Sequence, residues 1–283
     1  MNRQAVNPYL PSWEYIPDGE PHVFNGRVYV YGSHDRFNAP IFCVNDYVCW
    51  SAPVEDLSEW RYEGVIYRKK QDPKNPLGYH LLFAPDVCQG PDGRYYLYYA
   101  FDFLGIMSVA VCDTPAGEYK FLGHIHYADG TLWGRRRGDQ LPFDPGVLAD
   151  DDGRVWLYSG FYNAVPAILT GGHKLRCDGG TVLELEKDMV TIKTEPRVIF
   201  PKKGPGAFQG HEFFEASSIR KETSVYKGYK RDKIEMRGDR AEISDFPLYL
   251  NTVAGGLDCR DQTIGGFSFV VKIYAVPVVE IIG

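Results

Sequence analysis

Between residues 16 and 200 the chain is a succession of short runs in which apolar or aromatic side chains dominate: Arg27-Val28-Tyr29-Val30-Tyr31, Tyr47-Val48-Cys49-Trp50-Ser51-Ala52, Tyr95-Tyr96-Leu97-Tyr98-Tyr99-Ala100, Met107-Ser108-Val109-Ala110-Val111-Cys112 and Val155-Trp156-Leu157-Tyr158. Their length, their β-branched and aromatic content and the lack of a helical period predict strands. Turn signals fall between them: Asn25-Gly26-Arg27, Asp92-Gly93-Arg94 and Asp152-Gly153-Arg154. Each Gly-Arg turn follows an acid and a short strand and precedes an aromatic strand, so the phrase is a repeat.

The acids that open these phrases, Asp18, Asp86 and Asp144, with Glu215 as a fourth, lie roughly 60–70 residues apart. Units of about four antiparallel strands without an intervening helix predict an all-β protein of the β-propeller type. In such a ring the first strand of each unit lines the central channel, so the opening acids converge at one end of it. Residues 1–15 read as an extended lead that supplies an edge strand. The third unit runs through a loop at Asn163–His173 to strands at Thr181–Leu185 and Val190–Lys193, and His211–Lys221 opens a fourth. Beyond Lys221 the pattern stops, leaving residues 1–221 as the propeller region and 222–283 as an atypical segment of the same domain. Those 62 residues are too few for two further units.

Composition changes this picture little. At 283 residues, with 44% hydrophobic and 24% charged positions, the chain is an ordinary globular one. A formal charge of −6 and one isolated basic run, Arg135-Arg136-Arg137, argue against nucleic acid. No apolar run is long enough for a membrane span and residues 1–8 lack a signal core, which points to the cytoplasm. The six cysteines have no metal-ligand spacing and read as reduced and structural. Twenty tyrosines and five tryptophans suit sugar faces, but sheet packing accounts for such residues more often.

Paired carboxylates suggest a chemistry. Cleaving a glycosidic bond takes one carboxylic acid to protonate the leaving oxygen and one carboxylate to activate water, about 6.5–9.5 Å apart when configuration inverts. A third carboxylate beside the acid keeps it protonated by like-charge repulsion. Asp144, between Phe143 and Pro145, suits that third post. Asp18 also reads as an ordinary turn aspartate, and Asp150–Asp152 as a turn without the ligand spacing of a calcium loop.

Pro17-Asp18, Phe143-Asp144-Pro145-Gly146-Val147 and Phe214-Glu215-Ala216-Ser217-Ser218-Ile219 resemble the motifs of glycoside hydrolase family 43, from about Asn7 to Lys221. The resemblance implies a five-bladed propeller, here incomplete or irregular in its last two blades. It implies an inverting enzyme that removes arabinofuranosyl or xylosyl units from plant cell-wall oligosaccharides. By resemblance Asp18 is the general base, Asp144 the carboxylate that tunes the acid, and Glu215 the general acid, with Glu212 a weaker alternative. No cofactor is expected. The resemblance leaves room for a structural calcium ion on the channel axis, but no axial His motif supports one and no metal ligand is assigned.

His34, Trp50, Phe83, Phe161 and His211 are the candidate substrate-binding residues, each with a packing or loop-bonding reading beside it. The expected partner is an oligosaccharide, with no nucleic acid, no membrane, and self-association left open. The atypical C-terminal segment favours, as an alternative, a non-catalytic glycan-binding propeller or a truncated inactive enzyme.

Overall fold

The computed structural model describes residues 8–204 and 213–219. Twelve strands fall into three antiparallel sheets of four. Blade 1 holds β1 (Glu20–Phe24), β2 (Arg27–Tyr31), β3 (Tyr47–Pro53) and β4 (Arg61–Tyr67). Blade 2 holds β5 (Asp86–Gln89), β6 (Tyr95–Ala100), β7 (Met107–Cys112) and β8 (Lys120–His124). Blade 3 holds β9 (Gly146–Ala149), β10 (Val155–Phe161), β11 (Gly179–Leu185) and β12 (Arg197–Pro201). In every blade the strands pair in chain order, and the register breaks only between the two outer strands. Bulges there raise the local twist.

Strand composition follows from position in the ring. β6 is buried along its whole length because a blade lies on each of its faces. Tyr95, Leu97 and Tyr99 pack with Tyr31, Tyr47 and Tyr67 of blade 1, whereas Tyr96 and Tyr98 pack with Val147, Leu157 and Leu183 of blade 3. Side chains alternate faces along a strand, so a strand covered on both sides is apolar or aromatic at every position. The tyrosine hydroxyls find buried partners: Tyr98 donates to the Met189 carbonyl at 2.9 Å and Tyr31 to the Pro115 carbonyl at 2.7 Å. Ten of the sixteen tyrosines among the described residues lie in these two clusters.

The inner strands meet on the axis. Asp86 at the start of β5 places one carboxylate oxygen 2.6 Å from His22 Nε2 of β1, and its other oxygen accepts the backbone N–H of Val147 in β9 at 2.7 Å. Residues 213–219 enter the same channel: Glu215 bridges Phe161 in antiparallel fashion, and Ser218 Oγ donates to Glu20 Oε1 of β1 at 2.7 Å. Gly146 permits this approach, since a Cβ there would lie 2.8 Å from Ser217.

Three expectations need correction. Residues 8–19 form no strand; this lead is fixed instead by Glu14, which accepts from Trp50 Nε1 at 2.8 Å and sits 2.9 Å from His34 Nε2. The outer strand of blade 3 is Arg197–Pro201 rather than Val190–Lys193. The latter run is turned back by Asp188, which takes the Val190 and Thr191 amides, and it makes only single bridges, Thr191 to His126 and Ile192 to Leu185. The third concerns the repeat. Tyr31 pairs with Glu20, Tyr98 with Asp86 and Tyr158 with Gly146, so Asp86 is the counterpart of Glu20, two positions down the channel from the station of Asp18 and Asp144. The Asp150–Asp152 turn is as expected, closed by Asp150 N–H to the Arg154 carbonyl and Gly153 N–H to the Asp150 carbonyl. The expectation for residues 222–283 lies outside the described residues.

Candidate active site

Asp18 and Asp144 each stand two residues before the inner-strand residue that pairs with the conserved-in-repeat tyrosine of the second strand, Tyr31 or Tyr158. Both have left-handed backbones, φ 56° and 41°. Aspartate tolerates that region better than most residues, though at some cost in strain. The same bend therefore turns both carboxylates off the ends of β1 and β9. Asp144 is 5% exposed and Asp18 half-buried.

The two acids share neighbours. Burial pushes the Cys43 thiol up to about 12; a hydrogen bond with Ser33 works against this, while the charges of Asp18, Asp35 and Asp144 add to it. Buried Tyr47, whose hydroxyl donates to the Phe83 carbonyl, is likewise raised by burial first and then by Cys43, Asp144 and Asp18. Like-charged carboxylates thus surround neutral groups. Glu215 joins through Phe161, its bridge partner, whose ring lies 4.5 Å from that of Phe143, the neighbour of Asp144. The next residue, Ala216, is again left-handed, φ 59°.

An apolar cluster of Cys43, Phe83, Leu141, Phe143, Phe161 and Cys177 floors this region. Phe83 meets Phe143 edge to face at 5.7 Å. Phe83 and Phe161 are 5% and 8% exposed, so both shape the floor rather than offering open sugar platforms. Trp50 belongs elsewhere: its ring is enclosed by Trp13 and Tyr62 in the outer part of blade 1 and its N–H is taken by Glu14. His34 has both ring nitrogens engaged, Nδ1 with the Asp46 carbonyl at 2.9 Å and Nε2 with Glu14, which makes it a loop anchor. His211 and Glu212 lie outside the described residues.

Ser33 had no assigned role in the sequence, yet it is fully buried and its Oγ lies 2.8 Å from Asp18 Oδ2. The only signal was the Gly32-Ser33 pair ending the first aromatic strand, where blade 3 has the reverse order, Ser159-Gly160. Ser159 makes backbone bonds, accepting from Phe143 N and donating to Phe143 O.

Glu20, His22 and Asp86 bring three possible ligand atoms within 4.8 Å of one another on the axis. Both Asp86 oxygens are already engaged, with His22, Val87 N and Val147 N, and Glu20 accepts from Ser218. Calcium takes six to eight oxygens. Two carboxylates whose oxygens already accept hydrogen bonds, with a nitrogen as the third ligand atom, do not fit it.

Three four-stranded blades, with Asp18 and Asp144 at equivalent stations before their inner strands, define a β-propeller with a pair of carboxylates at matching positions. The family described as glycosyl hydrolases family 43 matches residues 17–226, a span that includes Asp18, Asp144 and Glu215, and the chain belongs to that family. It is 60% identical over 230 residues to a xylosidase/arabinosidase of Thermoclostridium stercorarium, covering 80% of this chain and 46% of that relative. To xylosidase/arabinosidase 43A of Humicola insolens it is 30% identical over 246 residues, covering 75% and 71%. The chain thus spans about half the length of the first relative. Among solved structures it is similar to CoXyl43, a GH43 β-xylosidase/α-arabinofuranosidase from a compost microbial metagenome in complex with xylotriose, at 25% identity and a TM-score of 0.56, covering 78% of this chain and 71% of that one. It shares its fold with the GH43_1 enzyme of Xanthomonas citri complexed with xylose, at 24% identity and a TM-score of 0.55, covering 74% and 64%.

Proposed function

We propose that the protein is an inverting glycosidase that releases xylosyl or arabinofuranosyl units from plant cell-wall oligosaccharides. Asp18 is the general base, Glu215 the general acid, and Asp144 the neighbour that keeps the acid protonated. The observation that carries the reading is the equivalence of Asp18 and Asp144, two acids bent into the channel mouth at the same register station, beside a glutamate bridged to the floor at Phe161.

The chemistry follows from the positions. Asp18 has one oxygen held by Ser33, while Oδ1 is buried with no hydrogen-bond partner among the described residues. A buried carboxylate oxygen without a partner is costly, and a water poised for attack would satisfy it. Negative charge on Asp144 disfavours a second charge nearby and so favours a proton on Glu215. The aromatic floor excludes bulk water and strengthens these interactions. Names of relatives that include xylosidase and arabinosidase support the substrate class. Five free cysteines among the described residues, four of them buried, suit the cytoplasmic location that we propose with it.

The test is hydrolysis of aryl β-xyloside and aryl α-L-arabinofuranoside, with NMR of the first-formed sugar. Release with inverted anomeric configuration is the expected result, and release with retention would refute the mechanism. Binding of xylotriose without release would favour a glycan-binding propeller, a second reading prompted by the departure from the repeat pattern beyond Lys221.

A further inference from the structure

The environment of Asp18 is asymmetric in a way the carboxylate itself does not dictate. Ser33 Oγ lies 2.8 Å from Asp18 Oδ2 and 3.2 Å from the Pro17 carbonyl. A hydroxyl has one proton to give, and the shorter bond to a charged acceptor is the stronger. The proton therefore belongs to Asp18. The other oxygen, Oδ1, is left buried and without a partner among the described residues. One oxygen is held and its twin keeps its lone pairs unused.

Three features fix the donor. Ser33 is fully buried, so water does not compete for its hydroxyl. Gly32 lets the end of β2 press against the Asp18 turn: a Cβ there would lie 2.4 Å from Ile16 Cγ2 and 2.7 Å from the Pro17 carbonyl. The Cys43 thiol beside Ser33 stays neutral, its pKa raised by burial to about 12, and brings no charge to the pair. The left-handed bend at Asp18 aims the carboxylate, and Ser33 fixes its rotation about the last side-chain bond.

We propose that Ser33 is the positioning residue of the general base, holding Asp18 Oδ2 so that Oδ1 alone faces the attacking water. This rests on the reading of Asp18 as the base. A terminal carboxylate torsion is soft, so without the serine the two oxygens would exchange and the water would lose its fixed acceptor. Such a loss appears in the chemical step rather than in sugar binding, and it is indifferent to the leaving group, because water must be activated whatever departs.

The test compares the unsubstituted 283-residue chain with Ser33→Ala, Ser33→Cys, Ser33→Thr and Asp18→Asn, on 4-nitrophenyl glycosides and on xylobiose. Ser33→Cys keeps an atom at the γ position but offers only a weak donor, and so guards against a cavity effect in Ser33→Ala. Expected is a fall in kcat of about ten- to a hundredfold for Ala and Cys with KM almost unchanged, equal on both substrates, as positioning losses of this kind run. Ser33→Thr, which restores the hydroxyl, recovers most of the rate. Wild-type kcat in Ser33→Ala beside an inactive Asp18→Asn overturns the role of Ser33 alone, as does a loss confined to KM or a threonine that fails to rescue. Full turnover by Asp18→Asn overturns the base assignment and the inference with it.

Discussion

His124 Nε2 lies 3.0 Å from Asp72 Oδ1, joining the last strand of blade 2 to the turn that leaves blade 1. The other Asp72 oxygen accepts from Tyr99 at 2.8 Å, and Tyr99 meets Tyr67 hydroxyl to hydroxyl at 2.6 Å. Burial pulls the Asp72 carboxyl upward, but the hydrogen bond and charge of His124, the Lys74 amide and the Tyr99 hydroxyl outweigh it and hold the group below its usual value. A carboxyl depressed by folding contributes stability that is complete above its unfolded pKa of about 3.9 and is lost as pH falls through the lower folded value. Asp72→Asn should therefore lower stability by about 2 kcal/mol at pH 7. Urea titrations at falling pH should show the gap to wild type narrowing below about pH 4.

Exchange of the proposed base and acid should separate by substrate. Asp18→Asn should abolish turnover on every glycoside. Glu215→Gln should lose less than the usual 10²–10⁴-fold on an aryl glycoside with a good leaving group, and about that much on xylobiose. Steady-state rates on the two substrates check the split, and equal losses for both variants would contradict the roles.

Two glycine substitutions should differ in kind. Gly26 has φ 75° with open space around it, so Gly26→Ala should cost about 1 kcal/mol of stability and leave activity alone. Gly32 has no left-handed φ to protect, but an added methyl meets Ile16 and the Pro17 carbonyl. Gly32→Ala should push the Asp18 turn away and reduce kcat by about tenfold or more. Thermal melts and rates measured side by side distinguish the two.

Thiol labelling should be selective. Cys43, Cys49 and Cys88 are buried and their pKa values are raised by that burial, whereas Cys112 is half-exposed. Iodoacetamide at pH 8, followed by peptide mass spectrometry, should modify Cys112 and leave those three unlabelled until denaturant is added.

Much of this was legible because a propeller writes its repeat into the chain. The Gly-Arg turns, the aromatic strands and the three acid motifs gave blades, order and candidate carboxylates. Register was less legible. Pro-Asp occurs at both Pro17-Asp18 and Pro85-Asp86, yet the strand pairing sets Asp86 two residues further along, and only the partner of the second-strand tyrosine reveals it. Phe83 and Phe161 lay in the right region but as buried parts of the floor, since aromatic type says nothing about which face is open. Trp50 and His34 answered to Glu14, a residue of the irregular lead whose tertiary partners leave no periodic trace. Ser33 was invisible for the same reason, its partner being fifteen positions back across a turn.

The carboxylate of Asp86 touches β1 through His22 and β9 through Val147 while itself belonging to β5. Asp18 and Asp144 lead into those two outer strands, each two residues before the first residue of β1 or β9. The spacing of the two inner strands that carry these acids is accordingly gauged by one side chain on a third strand, two positions further down the channel. Loops at the rim can vary in length and sequence while the two aspartates keep their spacing, because what holds their strands lies below the rim.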